Sequence, residues 1–327
     1  MDFDLSDQQK EIKSVAHDLL AERSTFARVR AAAQARRYDE ELWRELVELG
    51  WPGIAVTEEQ GGGGLGMVEL AVLLEELGYA CAVVPFLGTA VSAAAISAAQ
   101  SPAADTELLG ALVRGEQRGA VGLRSIAADG VGACCAIVLD GDGALLLGEP
   151  QAEEIVTVDP TRAYARLTGG AQSALGQSAR GRMLIAVAAE LVGICQRALD
   201  MTLAYVKERR QFDVPVGSFQ AVSHRCAEMF RHTESARSAT YYAAWAADAA
   251  DDSLAEASAL AAAAAIEAGR EVTAGAIQMH GGIGFTWEAD VHWLYKRAQL
   301  DCALLGPIKD HQVTLARLAA ERLATVG

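Results

Sequence analysis

The chain has 327 residues, 51% of them hydrophobic, and a formal net charge of −15, which is enough apolar content for two or three domain-like units and excludes disorder as a whole. A pI near 4.9 argues against non-specific binding to nucleic acid or to an anionic membrane face, since both reward a basic stripe. Six cysteines without a C-x-x-C pair and six dispersed histidines without H-E-x-x-H point to neither a disulfide scaffold nor a metal site.

Met1-Asp2-Phe3-Asp4 lacks the basic start of a secretory signal, and no run is apolar for a membrane-spanning length, so a cytoplasmic protein is expected. Ser6-Asp7 can cap a helix with Ile12, Val15, Ala16, Leu19 and Leu20 on its apolar stripe. A second helix is expected from about Asp39, with Leu42, Trp43, Leu46 and Leu49 on one side and Gly50 as its stop. The Gly61-Gly62-Gly63-Gly64 run reads as a flexible loop; it lacks the lysine of a phosphate-binding P-loop. Met67 to Gly78 is helical in pattern, and Pro85 and Gly88 interrupt the chain before an Ala-rich helix, making residues 1–105 an all-helical unit.

The pattern changes after Pro102. Leu108–Leu112, Gly119–Leu123, Cys134–Leu139, Ala144–Leu147 and Glu154–Val158 are short apolar runs that read as strands of a reduced β-domain over 106–170, with Asp140-Gly141-Asp142-Gly143 as a hairpin turn. From 171 to 327 helices return. Spans of roughly Arg180–Glu208, Gln220–Ala249 and Leu254–Gln278, and one from about Pro307 through Leu318, predict a four-helix bundle whose apolar faces call for oligomerisation.

Two helix exits concentrate chemistry. Lys207-Glu208-Arg209-Arg210-Gln211-Phe212 offers planar guanidinium donors, and Gln278-Met279-His280-Gly281-Gly282-Ile283-Gly284-Phe285 offers an amide followed by backbone N–H groups that no Cβ shields. Such a pair suits a phosphorylated cofactor; two plain helix corners, one basic and one stopped by glycine, are the alternative.

The order of units, together with Leu46-Val47-Glu48-Leu49-Gly50-Trp51-Pro52-Gly53-Ile54, Leu74-Glu75-Glu76-Leu77-Gly78, Gln196-Arg197-Ala198-Leu199-Asp200 leading to Arg209 and Gln220, and Gln278 through Phe285, resembles the acyl-CoA dehydrogenase family. The resemblance implies an acyl-CoA dehydrogenase-like fold: an N-terminal helical domain, a middle β-domain and a C-terminal helical bundle. It also implies FAD held at a subunit interface, α,β-desaturation of an acyl-CoA by a glutamate base, and reoxidation by an electron-transfer flavoprotein. By position it implies cofactor contacts from Arg209, Gln211, Phe212, Gln220, Gln278, Gly281 and Gly282, with Gln278 and the two glycines reaching across to the ADP half.

The chain departs from the family on one side of that cofactor. Leu305 stands where the usual glutamate precedes a glycine, and Met183 and Leu184 occupy the alternative base position, with Arg182 beside them. Ala120-Val121-Gly122-Leu123-Arg124-Ser125 stands in place of the first of three ring-enclosing segments, and nothing resembles the other two. The expectation is a non-catalytic subunit of an α2β2 enzyme resembling actinobacterial dehydrogenases of steroid side-chain CoA esters. A dissimilar subunit would then supply the base and the acyl-CoA site. Two alternatives remain: a self-sufficient enzyme using Glu190 or Asp301, each more readily a pair member or a surface residue, and a structural partner with a vestigial flavin site.

Overall fold

The computed structural model describes residues 4–99, 106–249 and 252–326. The boundary expected near 105 lies outside the described residues. Six helices come first: α1 (Asp7–Arg23), α2 (Phe26–Ala35), α3 (Glu40–Glu48), α4 (Met67–Tyr79), α5 (Phe86–Ala99) and α6 (Thr106–Val113). Local chemistry sets their ends. Ser6 and Gln9 form a reciprocal capping box on α1, the Asp39 carboxylate accepts from Leu42 N–H at the start of α3, and Gly50 turns at φ 71 after it.

Several expectations fail here. Leu108–Leu112 is not a strand but part of α6, whose buried Leu109 and Leu112 are spaced i, i+3; a short apolar run carries no period strong enough to separate the two. Gly88 does not interrupt the chain. It lies inside α5, where an added Cβ would stand 2.3 Å from the Gly119 carbonyl oxygen, so it permits the helix to approach the sheet. Val15 and Leu49 point outward, each 50% exposed, and α2 was not foreseen.

A seven-stranded sheet follows, ordered β5-β6-β2-β1-β3-β4-β7. Its strands are β1 (Gly119–Leu123), β2 (Ile126–Ala128), β3 (Cys135–Asp140), β4 (Gly143–Gly148), β5 (Gln151–Ile155), β6 (Tyr164–Thr168) and β7 (Ala171–Ala174). All neighbours are antiparallel except β1 and β3. The hairpin at Asp140–Gly143 forms as expected, with Asp140 paired to Gly143. The strand expected at Glu154–Val158 instead ends at Ile155, and Val156 and Val158 are exposed at 69% and 64%. Hairpins turn in two residues at 124–125 and 141–142, and so the sheet carries few long loops.

The last part comprises α7 (Gly176–Glu208), the hairpin strands β8 (Arg210–Gln211) and β9 (Val214–Pro215), α8 (Gln220–Asp248), α9 (Leu254–His280), α10 (Val291–Leu305) and α11 (Ile308–Val326). Among the described residues five helices therefore stand where four were expected. The additional one, α10, escapes a periodicity reading because Arg297 and Asp301 interrupt its buried face of Val291, Leu294, Ala298, Cys302 and Leu305. Among the described residues no helix is long and apolar enough to cross a membrane.

Helix α7 is the axis, packed against α4, α5, α8, α9 and α10. Its crossing with α4 is a backbone-to-backbone contact. A Cβ added to Gly193 would fall 1.8 Å from the Glu75 carbonyl oxygen, and one added to Gly78 would fall 2.2 Å from that of Glu190. Asp248, at the end of α8, caps α4 by accepting from Met67 and Val68 N–H at 2.6 and 3.0 Å. The first helices are thereby fastened to the bundle at two places. Gly193→Ala should force α4 and α7 apart and lower stability by about 2–3 kcal/mol or more, read as a lower urea midpoint.

Candidate functional site

Tyr205 and Arg209 at the end of α7 face the end of α9, where Gln278 is followed by Gly281 and Gly282. Together with Val216, Val222 and Ile283 they line one open groove of about 500 Å3. Tyr205 stacks on His280 with ring centroids 4.6 Å apart. His280 Nδ1–H donates to the Ala276 carbonyl at 2.7 Å, and burial holds the imidazole pKa below its ordinary value, so a neutral ring fixes the corner. Gly281 then turns at φ 65, ψ −143, a conformation that L side chains avoid.

The groove has the chemistry of an anion receiver. Arg209 and Gln278 are exposed, and added Cβ atoms at Gly281 and Gly282 would meet nothing within 4 Å. A guanidinium, an amide and open backbone N–H groups in one cleft fit a diphosphate. Of the seven residues expected to contact a cofactor, the structure brings Arg209, Gln278, Gly281 and Gly282 together here.

The other three lie elsewhere. Arg210 and Gln211 pair with Pro215 and Val214, which leaves Phe212 and Asp213 as the two-residue turn at φ 52 and 63. Phe212 is 86% exposed, touching Phe219 edge-on at 6.3 Å, and Gln211 Nε2 donates to the Arg210 carbonyl. Gln220 is the exposed first residue of α8. None of the three lines the groove.

Where a base would be sought, the structure is sealed. Met183 and Leu305 are buried, and a Cβ on the adjoining Gly306 would stand 3.7 Å from Leu123 of β1. Arg182 turns away, its Nη1 donating to Ser178 Oγ at 2.5 Å. Glu190 is a buried pair member. Its two oxygens accept from Arg162 Nη2 at 2.6 and 2.8 Å, and Oε1 also from Arg297 Nη1 at 2.8 Å. Burial alone would raise the Glu190 pKa, but the two guanidiniums outweigh it and hold the carboxyl below its ordinary value.

Asp301 was expected on a surface loop; it is instead fully buried on α10, one turn from Arg297, with Oδ1 accepting from Arg162 Nη1 at 2.8 Å. Its carboxyl is pushed well above the usual range by burial and by the Glu190 charge. The cluster extends through Asp159, 3.3 Å from Arg297 Nε, and Asp129, 3.5 Å from Arg162 Nε. Tyr38 closes it, donating to Asp129 Oδ1 at 2.8 Å while accepting from Ala163 N–H. Sequence reading missed the network because its members are distant along the chain. The one local sign was Asp159-Pro160-Thr161-Arg162, a polar tetrad in an otherwise lean segment.

Two guanidiniums face four carboxylates, so loss of a cation and loss of an anion should differ. Arg162→Gln is expected to cost about 3–5 kcal/mol by leaving buried charge uncompensated, whereas Asp301→Asn, which keeps an acceptor for Arg162, should cost about 1 kcal/mol or less. A carboxyl whose folded pKa is raised destabilises increasingly as pH rises through the interval from its unfolded to its folded value. Asp301→Asn should therefore gain on the parent as pH is raised from about 4 upward, in parallel denaturation curves.

Residues 6–116 match the family described as acyl-CoA dehydrogenase, N-terminal domain, and residues 168–322 match acyl-CoA dehydrogenase, C-terminal domain. The acyl-CoA dehydrogenase IpdE2 of Mycolicibacterium smegmatis is 35% identical over 322 residues, covering 97% of this chain and 99% of the relative. Its namesake from Mycobacterium tuberculosis is 34% identical, covering 96% and 97%. Among solved structures, the Tcur3481-Tcur3483 steroid ACAD superimposes with a TM-score of 0.86 at 29% identity, covering 97% of this chain and 99% of that one. The ChsE4-ChsE5 complex from Mycobacterium tuberculosis gives a TM-score of 0.85 at 24% identity over 98% and 99%, a likeness of fold.

Proposed function

This chain belongs to the acyl-CoA dehydrogenase family, and from that premise we propose that it is the non-catalytic subunit of an FAD-dependent enzyme that desaturates an acyl-CoA. One contrast carries the reading: the groove of Arg209, Gln278, Gly281 and Gly282 is open, whereas Leu305, Met183 and the Arg162–Glu190–Arg297 cluster fill the side where a base would act. A subunit that can hold a diphosphate but offers no accessible carboxylate needs a partner for the proton.

In this reading Arg209 binds the flavin pyrophosphate through charge-assisted hydrogen bonds, while Gln278 and the Gly281–Gly282 backbone orient the ADP half. Gln211, Phe212 and Gln220, outside the groove and exposed, are assigned to the cofactor's outer edge or the partner's surface. Bound FAD supplies the hydride acceptor. The partner subunit contributes the glutamate and most of the acyl-CoA site, in an α2β2 assembly sharing the cofactor at the interface, with an electron-transfer flavoprotein as oxidant. Similarity to the Tcur3481-Tcur3483 steroid ACAD supports a steroid-derived CoA ester as substrate, and the reading assigns the chain to steroid side-chain degradation in the cytoplasm.

A self-sufficient enzyme is disfavoured because both carboxylates considered for it, Glu190 and Asp301, are buried and bound to Arg162. Co-expression with the partner, followed by native mass spectrometry, should give a heterotetramer carrying flavin. Arg209→Ala should weaken FAD binding by that complex roughly ten- to hundredfold without dissociating the subunits. Unchanged affinity would favour a purely structural subunit, and a yellow, active homo-oligomer of this chain alone would overturn the proposal.

A further inference from the structure

The six cysteines are all free, and four of them, Cys81, Cys195, Cys226 and Cys302, are buried, with burial pushing each thiol up. Cys134 and Cys135 differ from these. They are adjacent at the entry to β3, where Cys135 is fully buried and Cys134 is partly open to solvent.

Side chains of neighbouring strand residues point to opposite faces of a sheet. Along β3 that alternation holds: Cys135, Ile137 and Leu139 face the main core, while Ala136 and Val138 face a second, smaller cluster. Cys134 breaks it. The residue precedes the strand at a bend and packs with Cys135 against the main core, instead of joining Ala136 on the other face. The bend is pinned on both sides, because the Cys134 N–H donates to the Arg118 carbonyl at 2.9 Å and its carbonyl accepts from the Glu149 N–H at 2.8 Å. Thiols from two consecutive residues are thereby held on one face.

There is also room beside them. The ladder partners of Cys135 are Gly119 and Gly148, and a Cβ added to Gly148 would meet nothing nearer than Ala171, at 3.9 Å. The Cys135 thiol, as a hydrogen-bond donor, holds Cys134 below its ordinary value against burial and the Glu149 charge, whereas Cys135 itself is held well above. Small apolar filling accounts for a wholly interior cysteine, but not for a second one that solvent reaches and that the first makes more acidic.

We infer that Cys134 and Cys135 form a peroxide-reactive pair, in which Cys134 is the attacking sulfur and Cys135 the resolving one. The Cys134 thiolate attacks one oxygen of a hydroperoxide, the O–O bond breaks, and the other oxygen leaves as hydroxide or alkoxide, taking up the proton that Cys134 gave to water. Cys134 is then a sulfenic acid. The Cys135 sulfur displaces its hydroxyl, which departs as water with the Cys135 proton, and an S–S bond joins the two residues. Two thiols have lost two electrons and one peroxide has gained them.

Consecutive Cα atoms stand about 3.8 Å apart, closer than the roughly 4.4–6.8 Å that ordinary disulfides span, so this bond is strained and a dithiol reductant readily reverses it. The strain falls on the Gly119–Cys135–Gly148 rungs of the sheet. The pair is a reversible modification site that stands whether or not the chain holds a flavin.

Treatment of the full chain with hydrogen peroxide, followed by alkylation under denaturing conditions and mass measurement of the tryptic peptide 125–162, tests the inference. That peptide should lose about 2 Da, carry no alkyl group and be restored by dithiothreitol, while the other four cysteines alkylate in full. In the untreated native chain, iodoacetamide should modify Cys134 about tenfold or more faster than any of the four buried thiols. Cys135→Ala should stop at a sulfenic acid that dimedone traps on Cys134, and the wild-type peptide decides the matter if this variant fails to fold. The inference is overturned by an unaltered wild-type peptide, by one that only gains oxygen mass, by disulfides formed between chains or with the other cysteines, by Cys134 reacting no faster than the buried thiols, or by a folded Cys135→Ala chain that dimedone does not label.

Discussion

Two guanidiniums, those of Arg162 and Arg297, are withdrawn from water and shared among Glu190, Asp301, Asp129 and Asp159, and the arrangement of the molecule follows from that clustering. Desolvating so many charges costs several kcal/mol per ion, and a well-packed apolar cluster of the same volume would be as stable or more so. The network therefore does not account for stability. What it accounts for is specificity of assembly. Arg162 comes from the loop between β5 and β6, Glu190 from the middle of α7, Arg297 and Asp301 from α10, and Tyr38 from the α2–α3 corner. Arg297 Nη2 also donates to the carbonyls of Thr161 and Ala82, so one side chain ties three regions of the chain.

Such a cluster admits few packings. A hydrophobic core tolerates sliding and repacking, but a buried guanidinium must find its acceptors or forfeit their full desolvation cost. Relative placement of the sheet and bundle is held in this way, while the α4–α7 crossing at Gly78 and Gly193 and the Asp248 cap hold the first helices. The same cluster occupies volume. With Arg162 threaded between Glu190 and Asp301, neither carboxylate is open to solvent, while the Arg209–Gln278 groove lies at the surface.

Helix α7 joins the closed region to the open one. Glu190 and Arg209 are separated by roughly 19 residues, about 28 Å of helix. The rigidity of α7 sets where Arg209 stands relative to the network, and Tyr205 stacking on His280 sets it relative to α9. The open corner is therefore placed by buried neighbours even though its own polar groups face solvent.

Much of this was legible in the residues alone. Capping chemistry at Ser6, the helix start near Asp39, the Gly50 stop, the Asp140–Gly143 hairpin and the long C-terminal helices are all written locally, because periodicity, caps and tight turns act within a few residues, whereas the meeting of Arg209 with Gln278-Met279-His280-Gly281-Gly282 was implied by the family resemblance. So was the absence of a carboxylate at 183 and 305. Only the tertiary structure decided that α10 is a helix with charge on its buried face, that Leu108–Leu112 is helical, that Asp301 is interior, and that four of seven expected contacts share one groove. The physical reason is range. Arg162 finds Asp301 across 139 positions, and Arg297 finds Glu190 across 107; nothing in the residues next to either arginine announces the partner that burial will supply.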